Sequence, residues 1–335
     1  MDFFTHIVIS FAVANQLHQD EDSFRAFIIG GLAPDVDVLV SWLPALIPQL
    51  FILQHRGLFH TVFAAPFIVI LLILSINYSK EFIFIKRLQK PFQELNIRLN
   101  SNTVIWGVIG FFLHLCMDII TQGGLILFYP LINQRITISI ISVFDPLITL
   151  LSSVLVFRFV YSKLTGSNTH SLLQFKKAAT SVTILFVILL GIYGFFQVTT
   201  IVNHSPSSTS PDIIPLFRWT VMERNKTISI HIINQLTQNI ISTYNYSSLT
   251  YNQTYWDILS IESVVEQAKA TIKYKRFEFQ LGSDTRLAIN VTFNEMENRW
   301  EISFLDTLHD AQNRFYGLSN WSLMETEVVI YLNQS

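Results

Sequence analysis

Histidines and aspartates form polar islands in the otherwise apolar first half of this chain. They occur as Thr5-His6, Pro34-Asp35-Val36-Asp37, His55-Arg56-Gly57-Leu58-Phe59-His60 and His114-Leu115-Cys116-Met117-Asp118. Imidazole and carboxylate are the ligands that zinc and similar divalent metals accept. Several of these residues lie in or beside stretches hydrophobic enough to enter a bilayer, where ionisable groups are costly and mark function. His6, Asp35, Asp37, His55, His60, His114 and Asp118 are therefore the candidates for holding a metal or supporting its ligands. The expected cofactor is a divalent metal, zinc first, with manganese or iron as alternatives.

Each spacing carries its own chemistry and its own bland alternative. His114 and Asp118 are four apart in a helical segment, so they share a face one turn from each other. Such a pair can hold one metal, bridge two, or simply lock helix packing by a hydrogen bond. His55 and His60 are five apart, poor for chelation from a continuous helix, and Gly57 predicts a turn with the helix starting near His60. Alone they would read as interfacial histidines. Arg56 between them could clamp a phosphate oxygen or pair with a carboxylate. Asp35 and Asp37 follow Gly-Gly and Pro, where an extended or turned backbone sends the two carboxylates in different directions. One could ligate metal while the other orients a histidine or takes a proton from water; helix capping is the alternative. Asp37 is thus a candidate proton acceptor, and Arg56 a candidate substrate clamp. Asp145 is expected to support the site from a third span. His18, His170, His204, His231 and His309 have no acidic or histidine partner at ligand spacing and read as surface residues.

Positioning these groups takes membrane helices. Four segments are apolar over about the 20 residues a bilayer requires: 61–78, 103–121, 138–161 and 179–201. The second and third carry His114, Asp118 and Asp145, which must face protein or water. Residues 3–17 suit a short helix. Residues 24–53 are apolar but broken by Gly30-Gly31, Pro34, Pro44 and Pro48, and read as half-buried helices. No basic segment precedes the first apolar run, and cleavage there would remove His6, so a signal peptide is not expected. Lys80, Lys86, Arg87, Lys90 and Arg98, then Lys163, Lys176 and Lys177, mark two loops as cytoplasmic. The loop between them holds only Arg135. On that orientation the His/Asp groups collect at the outer membrane face and residues 203–335 are extracytoplasmic.

The tail has a different texture. N-x-[ST] sequons stand at Asn203, Asn225, Asn245, Asn252, Asn290, Asn320 and Asn333, and read as an externally exposed or glycosylated surface. Asn77 also fits the pattern but falls at the expected cytoplasmic end. Runs at 217–222, 226–233, 273–281, 286–293 and 298–305 alternate apolar and polar residues as strands do. Residues 256–270 read as a helix and 205–211 as a linker. The expected architecture is mainly α: a polytopic helical membrane domain (1–202) with the metal site, followed by a strand-rich α+β domain (203–335). A net charge of -2 offers no basic face for nucleic acid. The single cysteine, Cys116, excludes intramolecular disulfides and cysteine-rich zinc sites.

Several stretches, in order, resemble the membrane-bound, metal-dependent hydrolases described as LexA-binding and inner-membrane-associated. They are MDFFTH (1–6), GGLAPDVD (30–37), HRGLFHT (55–61), HLCMDIITQGG (114–124), YPLINQRITIS (129–139) and FDPLITL (144–150), with a weaker PLFRW (215–219) in the tail. The order His, Pro-Asp, His-x4-His, His-x3-Asp is also distantly similar to zinc-dependent phospholipases C. The resemblance implies a helical metal-binding core and hydrolysis of a phosphate ester. By position it implies His6, Asp35, His60, His114 and Asp118 as ligands, with His55, Asp37, Arg56 and Asp145 holding them or the substrate. Thr61 departs from the serine of many relatives. The LexA partner implied by the family's description does not suit an outward-facing site.

The expected function is metal-assisted hydrolysis of a phospholipid or lipid-linked phosphoester at the outer membrane face, with a membrane lipid as partner and substrate. A metal-stabilised scaffold is the first rival and predicts a coordinatively closed site. A metal transporter is the second and predicts ligands spread through the bilayer depth.

Overall fold

Asp2 opens helix α1 (Phe3–Gln16). Its carboxylate accepts from the Thr5 backbone N–H at 2.9 Å and from the Thr5 hydroxyl at 2.6 Å, satisfying donors that a helix start leaves bare. Thr149 donates to the same carboxylate at 2.8 Å from a later helix, so this cap also ties two elements together. Asp20 caps α2 (Glu21–Leu32) in the same manner. The hydroxyl and backbone N–H of Ser23 hold the Asp20 carboxyl below the usual carboxylate range. The computed structural model describes residues 1–17, 20–79, 96–164, 170–204, 206, 208–211, 218–224, 227–251, 258–281, 287–294, 299–315 and 325–331. Lys80, Lys86, Arg87 and Lys90, the sequons at Asn225, Asn252, Asn320 and Asn333, and residues 215–217 of PLFRW lie outside them.

The chain divides into two compact units, Met1–Trp42 with Leu53–Phe195, and Leu43–Ile52 with Phe196–Ser335. The first is helical. After α2, Pro34 starts a 3-10 helix, Pro34–Leu39. Two more 3-10 turns, Leu58–His60 and Val62–Ala64, lead into α4 (Ala65–Ser79); α3 is the short Leu43–Leu46 of the other unit. Then come α5 (Ser101–Ile119), α6 (Pro146–Leu164) and α7 (His170–His204). The α2–α5 crossing depends on glycine: a Cβ on Gly30 would overlap the Gly107 carbonyl, and one on Gly110 the Phe27 carbonyl. Small residues let the two backbones touch, as membrane helices require where water supplies no drive to associate.

Among the described residues, two helices are long and apolar enough to cross a membrane, Ser101–Ile119 and Leu172–His204. Two bent pairs, Glu21–Leu32 with Pro34–Leu46 and Pro48–His60 with Val62–Tyr78, pass the same test if each is one broken span. The expected third span, 138–161, needs correction. Its helix begins only at Pro146, because proline suits the first helical position and keeps the residue before it out of the α region. Residues 138–141 instead run beside the end of α5, with Ile138 N–H donating to Ile119 O at 2.8 Å and Ile140 N–H to Ile120 O at 2.9 Å.

Among its described residues, the second unit holds two four-stranded sheets. Strands β1 (Ser208–Pro211), β2 (Arg218–Arg224), β3 (Thr227–Asn234) and β4 (Ile240–Ser247) form an antiparallel meander. In the other sheet β5 (Leu249–Tyr251) lies parallel to β6 (Leu287–Asn294), followed by antiparallel β7 (Arg299–Asp306) and β8 (Glu325–Tyr331). Helix α8 (Ile258–Lys269) buries Ile261, Val264, Val265 and Ala268 at helical spacing against Trp300, Ile302 and Phe304 of β7. The run 273–281, expected as a strand, is helix α9 (Ile272–Leu281). Its alternation was misleading because Tyr274 and Phe277 enter the shared core three residues apart, while Phe279 meets Phe51 at 5.2 Å. Part of the expected linker, Ser208–Pro211, is an edge strand, where a proline is tolerated. Helix α10 (Thr307–Phe315) covers the first sheet, and Tyr246 of β4 donates to its Asp310 at 2.8 Å. Of the sequon asparagines, Asn203, Asn245 and Asn290 are exposed.

Candidate metal centre

Four separate elements of the first unit aim their polar groups at one place. Helix α5 supplies His114 and, one turn on, Asp118; helix α1 supplies His6; the Pro34–Leu39 turn supplies Asp35 and Asp37; the Leu58–His60 turn supplies His60. His6, His60 and His114 are fully buried and Asp118 is almost so. His60 Nε2 lies 3.7 Å from Asp35 Oδ1 and 3.5 Å from Asp118 Oδ2. His114 Nε2 lies 3.6 Å from Asp35 Oδ1 and 3.5 Å from Asp118 Oδ2. His6 Nε2 reaches the other oxygen of Asp118 at 3.3 Å, with its ring stacked on His114 at 3.7 Å.

These separations test whether the residues fit a metal. Zinc bonds of about 2.0–2.1 Å at tetrahedral angles put ligand atoms about 3.3 Å apart. The observed 3.5–3.7 Å needs only a small contraction. Among the described residues, His6 Nε2, His60 Nε2, His114 Nε2, Asp35 Oδ2 and Asp118 Oδ2 are buried and have no hydrogen-bond partner. Orphaned buried polar atoms are expensive and rare. Here they lie in two neighbouring groups whose ligand atoms are within reach of one another, His6 with His114 and Asp118, and Asp35 with His55 and His60, and a divalent cation would satisfy such a set.

The surrounding bonds aim the ligands. His114 Nδ1 is 2.9 Å from the Gly31 carbonyl, which can only accept, so Nδ1 carries the proton and Nε2 presents its lone pair to the cluster. Asp37 is fully buried and takes the His55 Nδ1 contact at 2.9 Å and the Arg56 backbone N–H at 3.1 Å. His60 Nδ1 stands 3.1 Å from Asp37 Oδ2 without forming a hydrogen bond to it. The Arg56 guanidinium donates to Thr121 Oγ1 at 3.0 Å and to Asp118 Oδ1 at 3.3 Å. The Met1 amine is ion-paired with that same oxygen.

The candidate residues therefore separate. His6, Asp35, His60, His114 and Asp118 meet at the cluster; Asp37 and Arg56 sit behind the ligands and hold them. His55 stands at the edge, its side chain 42% exposed, within ligand reach of Asp35 and His60 as well as bonded to Asp37. Asp145 does something else. Its Oδ1 caps α6 through Leu147 N–H and Ile148 N–H, both at 3.1 Å, and its Oδ2 accepts from the Tyr193 hydroxyl at 2.9 Å. Sequence reasoning passed over Thr121, which receives Arg56, and Gly123, where a Cβ would overlap the Arg56 guanidinium. Both lie in the TQGG run after Asp118, but neither residue type announces a site.

A helical unit with apolar spans folded around buried histidine and aspartate side chains defines a membrane protein. The chain belongs to the YdjM inner membrane protein family, which it matches over residues 1–201. That stretch contains all of the cluster. No curated protein and no solved structure matches the chain.

Proposed function

We propose that this chain is a multi-pass, metal-dependent hydrolase of the inner membrane that cleaves a phosphoester on a membrane lipid or lipid-linked molecule, with its strand-rich tail outside the cytoplasm. The observation that carries the reading is the set of buried, unpartnered ligand atoms from His6, Asp35, His60, His114 and Asp118. A divalent ion held there supplies Lewis acidity and water activation near neutral pH.

The chain's own groups divide the remaining work. His114 and His60 present Nε2 inward because the Gly31 carbonyl and Asp37 occupy their other faces. Arg56 fixes Asp118 through Oδ1 and leaves Oδ2 to the cluster. Asp37 is already engaged by His55 Nδ1 and the Arg56 backbone N–H, with His60 Nδ1 beside it at 3.1 Å, so we assign it to orientation and not to taking a proton from water. His55, half open to the outside and hydrogen-bonded to Asp37, is placed to receive that proton and pass it to solvent.

The test is metal content by mass spectrometry on the detergent-purified full chain, wild type beside His60→Ala and Asp118→Ala, followed by detection of diacylglycerol or phosphatidic acid formed from phosphatidylglycerol and phosphatidylethanolamine vesicles. Stoichiometric metal that falls in both variants, with turnover lost alongside it, is the expected result. Metal without turnover on these vesicles or on lipid-linked phosphoesters turns the reading to a scaffold. A metal-free wild type, purified without chelator, refutes it.

A further inference from the structure

The segments that carry the site turn their charged groups inward and expose large apolar side chains, with the uncharged Asn133, Gln134 and Thr137 open among them. The strap between α5 and α6 shows this most fully. From Leu125 to Phe144 its one charged residue is Arg135, and that guanidinium is turned onto the Gly123 and Gly124 carbonyls at 3.1 and 3.2 Å. Leu131 is 77% exposed, Ile138 50% and Phe144 62%, with Ile132 and Ile136 also open. Meanwhile Thr121, beneath the strap, is fully buried against Arg56. The Pro34–Leu39 turn repeats the arrangement, burying Asp37 while Val38 and Leu39 project outward.

Backbone bonding allows such a strap to leave water. Leu125 and Ile136 exchange N–H to O=C bonds at 3.0 and 2.8 Å, Val62 N–H donates to Leu127 O at 3.0 Å, and Ile138 and Ile140 donate to the last turn of α5. Irregular backbone survives at membrane depth only when its polar groups are met by protein in this way. The strap is also continuous with a membrane-facing surface. It leaves α5, whose Ile105, Ile109 and Phe112 are exposed, and enters α6, whose Leu147 and Leu150 are exposed.

We propose that the Leu125–Phe144 strap lies in the acyl region of one leaflet, so that the His/Asp cluster is reached from the lipid and its ligand arrives as an amphiphile moving sideways within the bilayer. The partner is the acyl chains of the leaflet. A free, water-soluble phosphate ester is the wrong source, since the outer face of the strap offers it no charge. That a phosphoester headgroup travels this way rests on the hydrolase reading above; the depth of the strap does not.

Depth is read by spin labelling in a Cys116→Ser background, with Leu131→Cys, Ile138→Cys and, on exposed tail helix α9, Lys273→Cys, in nanodiscs of phosphatidylglycerol and phosphatidylethanolamine. Labels at 131 and 138 should collide preferentially with oxygen, and the label at 273 with the water-soluble nickel chelate. Wild-type chain photolabelled with a phospholipid carrying a diazirine in its acyl chain gives the same answer without a variant, as adducts within 125–144. Nickel preference at both strap positions, or adducts on α7 but none on the strap, overturns the proposal. A labelled strap on a protein with no turnover would count against the hydrolase reading and leave this one standing.

Discussion

Replacing Asp37 by Asn separates orientation from ligation. Asp37 touches His55 Nδ1 at 2.9 Å, His60 Nδ1 at 3.1 Å and Arg56 N–H at 3.1 Å, all through two carboxylate oxygens that can only accept. Asparagine keeps one acceptor and turns an NH2 towards a donor. If the amide nitrogen replaces Oδ2, both His60 and the Arg56 N–H lose their partner; if it replaces Oδ1, His55 does. The first is worse for His60, the second leaves His60 facing a neutral, weaker acceptor. Carboxylates behind metal-bound histidines typically contribute 10–100-fold in affinity, about 1.4–2.7 kcal/mol. Asp37→Asn should therefore weaken metal binding by a factor in that range, whereas His60→Ala should abolish binding at the same metal concentration. The assay is titration of detergent-purified full chain with zinc against a fluorescent chelator, with the apo-protein melting temperature followed in parallel. An Asp37→Asn curve superimposed on wild type, in a protein equally stable, would sink the argument that Asp37 aims His60.

The other expectations concern what holds the frame. Asp145→Ala removes the α6 cap and the Tyr193 partner; it should cost about 2 kcal/mol in stability while metal content per folded chain, measured by mass spectrometry, stays at the wild-type value. Gly30→Ala drives a methyl into the Gly107 carbonyl, and overpacking of this kind costs about 1–3 kcal/mol or more; a fall in detergent thermal stability together with metal occupancy is the expected outcome, and an unaffected variant would mean the α2–α5 crossing is not tight. Tyr246→Phe should lower the thermal stability of the tail by about 1 kcal/mol. Burial first, and then the hydrogen bond to Asp310, raise the Tyr246 phenol above its ordinary range. Its contribution should hold at every pH below about 10 and fade only as pH climbs through the raised value. A wild-type minus Phe difference that vanishes in neutral solution would contradict the hydrogen bond.

The helical unit was legible because its signals are local. An apolar run of bilayer length and His114-x3-Asp118 on one helix face both follow from residues within a few positions of each other. The boundary of the third span was not, since apolar residues 138–144 read alike as helix or strap. The deciding facts are Pro146 and the hydrogen bonds that the strap makes to α5, one local and one not. Asp145 illustrates the same limit. Its type and depth suggested a site residue, but its neighbours are the first turn of its own helix and Tyr193, 48 residues away. In the tail, the KYKRFEFQL run alternates as a strand does, yet the aromatic positions also fit a helix, and only the sheet beneath it decides. Convergence of the site was partly readable: five ligand candidates meet. That Asp37 stands behind His60 depends on a turn geometry that Pro34 permits without dictating.

Charge and backbone together give the cluster its direction. Leaving the histidines aside, three carboxylates, Asp35, Asp37 and Asp118, are set against the Arg56 guanidinium and the Met1 amine. The surplus is negative in a place where membrane proteins leave charge uncompensated at high cost. A cation resolves the surplus and the orphaned lone pairs in one step. A purely structural ion would not explain Arg56, which holds a left-handed backbone at φ 66°, a conformation costing a non-glycine residue about 1–3 kcal/mol. The strain buys one arrangement: the backbone N–H on Asp37, the guanidinium on Asp118, and His55 left at the open edge. Packing alone would have been served by a relaxed residue at that position. Backbone strain of this kind clusters at functional sites, and it is the reason we propose the hydrolase ahead of the scaffold.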